Sequence, residues 1–152
     1  MKKSFIENLR CPYTMTKLIL KSNDIINNRV KTGMLISKCG SHKYPIIEYV
    51  PRFVKDDNYA SSFGWQWNIF KKTQFDSYSG LPITFNRFWK ATKWDSKIKK
   101  NEWILDAGCG SGRFAEISTN TKANVVAIDY SHAVDACYSN LGDRENILII
   151  QC

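Results

Sequence analysis

Seven consecutive residues, Asp106-Ala107-Gly108-Cys109-Gly110-Ser111-Gly112, and one later acid, Asp129, have the types and spacing to hold a ligand. Glycines at alternate positions can take positive φ and let a ligand approach the backbone closely. A helix beginning near Arg113 would turn its free N–H groups toward an electronegative ligand. Asp129 lies 21 residues after Gly108, about the distance at which an acid meets ribose hydroxyls in a dinucleotide-type fold. Three elements must position these groups. The apolar run 103–105 reads as a buried strand entering the turn, 113–118 as a crossover helix, and 124–129 as a second parallel strand ending on the acid.

The glycine spacing separates two cofactor classes. A dinucleotide fingerprint, G-x-G-x-x-G, would put its third glycine at position 113, which is Arg113; the third glycine is Gly112 instead. Asp-Ala-Gly-Cys-Gly-Ser-Gly resembles motif I of the class I S-adenosylmethionine-dependent methyltransferases, and Asp129 resembles their motif II acid. That resemblance implies S-adenosyl-L-methionine as cofactor, bound by Asp106, Ala107, Gly108, Cys109, Gly110, Gly112, Asp129 and Tyr130. It places the glycine turn under the methionine part and the ribose, Asp106 near the cofactor's amino end, and Asp129 on the ribose hydroxyls.

The remaining sequence sets bounds. At 152 residues there is room for one ordinary domain, or a small one and part of another. No apolar run reaches membrane-spanning length, and the first residues lack the apolar core of a signal peptide, so a cytoplasmic location is the expectation. Five cysteines, one of them inside the glycine turn, argue against a disulfide framework. The net charge of +8 is uneven: residues 1–60 carry +6, 61–100 carry +6 and 101–152 carry −4. A basic front part fits an anionic substrate, or nucleic acid, and equally a solvated lysine-rich surface.

Residues 1–57 read as a small β-rich module. Strands are expected at 17–20, 24–31, 33–38 and 44–54, with a turn at Ser22-Asn23-Asp24 and a short helix or strand at 4–10. The segment resembles the small zinc-ribbon-like domain found alone as a methyltransferase activator and fused to the front of some methyltransferases. In that resemblance Cys11-Pro12-Tyr13-Thr14 lacks one ligand, while Cys39-Gly40-Ser41-His42 keeps two. Three candidate ligands against the usual four imply a relic without metal.

Residues 58–100 read as an aromatic helical connector. Phe63, Trp67 and Phe70 share a helical face, and Thr84 could cap a helix holding Phe85, Phe88 and Trp89. Gln66, Gln74, Asp76 and Tyr78 are polar groups among aromatics, as a lid over a cofactor cleft would need. The pattern also resembles the segment before motif I in the fused methyltransferases. Further on, Ser131 caps a helix with Ala133, Val134, Ala136 and Cys137 inward, Gly142 ends it, and 146–150 is a third buried strand.

The fold class expected is α/β, with 101–152 forming the first three parallel strands of a Rossmann-like methyltransferase sheet. Because that family continues with four more strands, the resemblance implies an N-terminal fragment that binds its cofactor weakly and methylates nothing alone. The parent's substrate would be a small or carrier-bound molecule, and no catalytic base can be named. The alternative is a non-catalytic module that docks a protein or RNA partner and carries a vestigial cofactor turn.

Overall fold

The computed structural model describes residues 1–54, 67–94, 98 and 100–152. Phe63 and Gln66, together with the expected boundary near residue 57, lie outside the described residues. After a 3-10 turn at Lys3–Asn8 the chain forms four antiparallel strands, β1 (Leu18–Ile26), β2 (Arg29–Ser37), β3 (Lys43–Ile47) and β4 (Val50–Pro51), paired in sequence order. The described part of the connector supplies a short helix α1 (Asp76–Ser79) and α2 (Ile83–Thr92). The last third alternates β5 (Trp103–Ala107), α3 (Arg113–Thr119), β6 (Asn124–Asp129), α4 (Ala133–Leu141) and β7 (Ile147–Gln151), with the strands parallel in the order β5-β6-β7. The expected three-stranded parallel half-sheet is present.

Two details of the β module differ from expectation. Ser22-Asn23-Asp24 is not a turn but an irregularity within β1, where the register against β2 shifts. The Ser22 hydroxyl accepts the Asp24 N–H at 3.2 Å, which satisfies the backbone group that the bulge releases. The turn falls instead at Asn27-Asn28, both at positive φ (48° and 61°), the backbone that matches the twist of a tight hairpin and that asparagine tolerates. Three strands, 17–20, 24–31 and 33–38, are expected where one hairpin of two long strands stands.

The parallel sheet is covered differently on its two faces. On one, Val125, Ala127, Ile147 and Ile149 pack with Ala115 of α3 and with Val134, Cys137 and Leu141 of α4. The expected inward residues of α4 are all fully buried. On the other face, Leu148 and Ile150 pack with Leu18, Val30, Leu35, Tyr44 and Ile46 of the β module. The antiparallel sheet therefore occupies a face that helices cover in most parallel sheets.

The two parts are also laced together at the sheet edge. Arg52 forms a parallel bridge with Gln151, and the Phe53 N–H donates to the Gln151 carbonyl at 2.8 Å. Arg52, 4 % exposed, donates to Gln151 Oε1 at 3.0 Å and to the Asp135 carboxylate. Arg29 donates to the Gly142 and Asp143 carbonyls, and Tyr49 stacks on Tyr138 with ring centres 5.1 Å apart. Gly142 ends α4 at φ −59°, an ordinary right-handed value. A Cβ there would stand 2.6 Å from the Tyr138 carbonyl oxygen and 2.7 Å from its ring. Close approach, and not a left-handed cap, is what requires glycine.

Candidate functional site

β5 delivers the chain into the turn after Ala107, and the turn folds as its glycines allow. Gly108, Gly110 and Gly112 have φ of 76°, 53° and 98°. The Gly108 and Cys109 N–H groups both donate to the Ile128 carbonyl at 2.9 Å, pinning the turn to the end of β6. At Gly108 nothing lies within 4 Å of where a Cβ would be, so its outer side is open. At Gly112 a Cβ would stand 2.9 Å from both Cys137 Sγ and Leu141 Cδ1. The first glycine faces free space; the last is a packing contact.

Asp129 closes the turn from β6. Its Oδ2 accepts the Gly110 N–H at 2.9 Å, while its Oδ1 accepts the Ser131 N–H at 2.8 Å and the Ser131 hydroxyl at 2.7 Å. Ser131 in turn accepts the Ala133 N–H at 3.1 Å, but the cap position of α4 is His132, whose side chain makes no capping bond. A carboxylate offers about four acceptor positions, so one remains. The carbonyl of Tyr130 accepts Gln151 Nε2 at 3.1 Å, which ties the loop after β6 to the end of β7.

Asp106 is the group with unmet needs. One side of its carboxylate is hydrogen-bonded by the backbone of Ala115, while Oδ2 is buried without a partner. Burial pushes its pKa up, the Ala115 hydrogen bond pulls it down, and the nearby Asp129 charge pushes it up, with a net rise. Asp106 also lines a cavity of about 220 Å³ together with Phe88, Thr92, Trp94, Leu105 and Phe114. Cys109 is buried against Cys137, and that contact, with burial, raises its thiol pKa well above the ordinary value. This cysteine is inert packing beneath the turn.

The connector lies across the turn, a relation that residue spacing alone did not reveal. The indole of Trp67 approaches Gly110, 3.6 Å from where its Cβ would be. Asn140 Nδ2 donates to both the Lys71 carbonyl (2.9 Å) and the Ser111 carbonyl (3.1 Å), and Asn68 Nδ2 donates to the His132 carbonyl at 3.0 Å. Phe75 inserts into the helix-covered core, whereas Phe70 is exposed. Arg113 Nη1 donates to Gln74 Oε1 at 2.7 Å.

Two of the polar residues singled out in the connector, Gln74 and Asp76, have structural partners. Asp76 accepts the Thr84 N–H at 2.8 Å and the Phe85 N–H at 2.7 Å, so it caps α2 from a distance. Thr84, expected in that role, is buried inside the helix and donates its hydroxyl to the Gln74 carbonyl at 3.2 Å. Tyr78 is exposed.

Of the zinc-ribbon positions, Cys39 and His42 are bridged by Ser41 Oγ, at 2.9 Å and 2.8 Å, while Cys11 has a different partner. Cys11 Sγ lies 3.1 Å from the Tyr44 hydroxyl. Burial raises the Cys11 pKa, but hydrogen bonds from Thr14 and Tyr44 outweigh it, leaving about 7. Cys39 Sγ lies 3.3 Å from Ser37 Oγ and 2.9 Å from Ser41 Oγ, and these bonds hold its pKa at about 6. The His42 ring stacks on Tyr13 at 4.8 Å. Among the described residues no three His, Cys, Asp or Glu side chains are placed to hold a metal ion.

The glycine turn and its facing acid lie at the carboxyl ends of adjacent parallel strands, the position at which open α/β sheets bind ligands. No protein-family profile matches the chain, and no curated protein matches it. Among solved structures, a candidate S-adenosyl-L-methionine-dependent methyltransferase from Methanococcus maripaludis is similar, at 18 % identity over 66 % of this chain and 45 % of that one, with a TM-score of 0.47. The MccD protein is similar at 22 % identity over 49 % of this chain and 33 % of that one, with a TM-score of 0.34. The chain thus spans less than half the length of either structure. Likenesses this remote leave function to the geometry of the site. No described helix is long and apolar enough to cross a membrane.

Proposed function

We propose that the β5–α3 turn binds S-adenosyl-L-methionine and that the chain is the cofactor-binding part of a methyltransferase. The observation that carries this reading is Asp106 Oδ2, buried and without a partner at the mouth of an open glycine turn. A buried acceptor left unmet costs about 1–3 kcal/mol, and the cofactor's ammonium, or a water held by it, would meet it. Asp106, Ala107 and Gly108 would hold the amino-acid end. Gly110 and Asp129 would hold the ribose, Asp129 through the acceptor position it has left, and Cys109, Gly112 and Tyr130 would shape the surrounding backbone. Trp67 would cover the turn and exclude water.

The bound sulfonium supplies an electrophilic methyl group; the residues here bind, orient and enclose it, which is the contribution such transfers need most. The acceptor would be a small or carrier-bound molecule, and the basic first two thirds favour an anionic one.

Calorimetric titration with S-adenosylhomocysteine, and with NADH as control, tests the reading. One equivalent of S-adenosylhomocysteine should bind weakly and NADH not at all, and Asp129→Ala should abolish the heat. A folded chain that takes up neither compound at millimolar concentration overturns the proposal and leaves the turn a structural one.

A further inference from the structure

The geometry points to a second binding surface, the outward face of the antiparallel sheet, as a docking site for anionic lipid. Side chains alternate across a strand. The register places Ile19 opposite Ile36 and Ile36 opposite Lys43, then Lys21 opposite Met34 and Met34 opposite Pro45. Their strand neighbours Leu18, Leu35, Tyr44 and Ile46 point the other way and pack against the parallel sheet. The rows holding Ile19, Ile36, Met34 and Pro45 therefore face away from the parallel sheet; Ile19 is 53 % exposed, and Met34, Ile36 and Pro45 are half-buried.

The charge around these apolar rows is mainly positive, four lysines against the carboxylate of Asp24. Lys21 and Lys43 sit within them, and Lys17 and Lys38 continue the same alternation just outside β1 and β2; all four are exposed. The acid at the far end of this face, Asp24, is engaged by the Thr32 hydroxyl at 2.8 Å. At the near end the loop before β1 folds back on itself, with the Met15 N–H on the Cys11 carbonyl, and leaves Tyr13 and Met15 76 % and 70 % exposed. An aliphatic centre with a lysine border matches the chemistry of a membrane interface. Lysine stems lie on apolar surface while their heads reach phosphates.

Two other occupants fit less well. Nucleic acid needs free aromatic faces for stacking bases, but these rows hold none, and Tyr13 is already stacked on His42. An acidic peptide adding to the sheet would need a regular edge, but the register shifts along β1 between Lys21 and Ile25, a device that discourages strand addition.

Vesicle co-sedimentation of the full chain tests this surface. Vesicles of phosphatidylcholine with one quarter phosphatidylglycerol should carry the protein down, and pure phosphatidylcholine should not. About 0.5 M salt should release it, since screening at that strength acts within a few ångströms. Lys17→Glu/Lys21→Glu/Lys43→Glu should reduce partitioning at least about 100-fold, at roughly a factor of five or more per lysine, with the far-ultraviolet spectrum unchanged. Ile19→Asn leaves every charge in place and should weaken binding about tenfold through loss of apolar contact. Failure of the native chain to bind either vesicle overturns the proposal, as does vesicle binding indifferent to these variants. Tighter binding of a mixed-sequence single-stranded RNA with the same lysine dependence would also overturn it, and assign the face to nucleic acid.

Discussion

Asp106 is held in a buried place with half of its carboxylate satisfied, and that condition sets what its removal should do. Its folded pKa is raised, so between the ordinary carboxylate value and that raised value the folded state holds more protons than the unfolded one. Stability should therefore fall as pH rises through that window. Asp106→Asn removes the buried charge and should stabilise the chain at pH 7 by about 1 kcal/mol in urea denaturation, while losing S-adenosylhomocysteine binding. The glycines supply a sharper contrast. Gly108→Ala meets only backbone strain at φ 76°, costing about 1 kcal/mol, but its methyl fills the open side of the turn and should block the ligand. Gly112→Ala meets both strain and the Cys137 and Leu141 side chains, and should cost about 2–4 kcal/mol in thermal or urea denaturation.

Among the elements, α2 depends on a residue outside itself. Burial pushes the Asp76 pKa up, but the Phe85 and Thr84 N–H bonds outweigh it and hold it below the usual value. The stability it supplies is present above about pH 4 and lost as pH falls through the depressed folded value. Asp76→Ala should cost about 1–2 kcal/mol at pH 7 and progressively less as pH falls below about 4, which denaturation across that range would show. Sequence spacing exposed the parallel strands, the glycine turn and Asp129 because each is local: an apolar run, a run of glycines, an acid at a strand end. Thr84 is the expected cap of α2 because the residue just before a helix usually supplies the accepting side chain, and Asp76 reaches the same amides only after the chain turns back. The Asn27-Asn28 hairpin had its local signal, but Ser22-Asn23-Asp24 carried a similar one, and only cross-strand pairing distinguishes a bulge from a turn. Trp67 over Gly110, and Asn140 joining Lys71 to Ser111, are tertiary relations with no periodic signature.

At the scale of the whole molecule, the β module is part of the core. It buries one face of the parallel sheet through Leu148 and Ile150, and Arg52 carries its exit strand into the end of β7 and the start of α4. Arg52→Ala leaves the buried Gln151 amide oxygen without its donor, while Asp135, 37 % exposed, can turn to water; the change should cost about 1–2 kcal/mol in urea denaturation. Near-ultraviolet dichroism should change with it, because Tyr49 and Tyr138 stack across the same junction.

The Arg52–Gln151 junction joins positions 99 apart in the chain, and this bears on how the protein is made. The hairpin of β1 and β2 closes between neighbours and can form as soon as it leaves the ribosome. β7, synthesised last of the three parallel strands, then meets a surface already folded and waiting for Leu148 and Ile150. Synthesis from the N-terminus supplies that order for free, whereas refolding from denaturant must find the same long closure by chance. Refolding in a test tube should be slow and prone to aggregation compared with folding during translation.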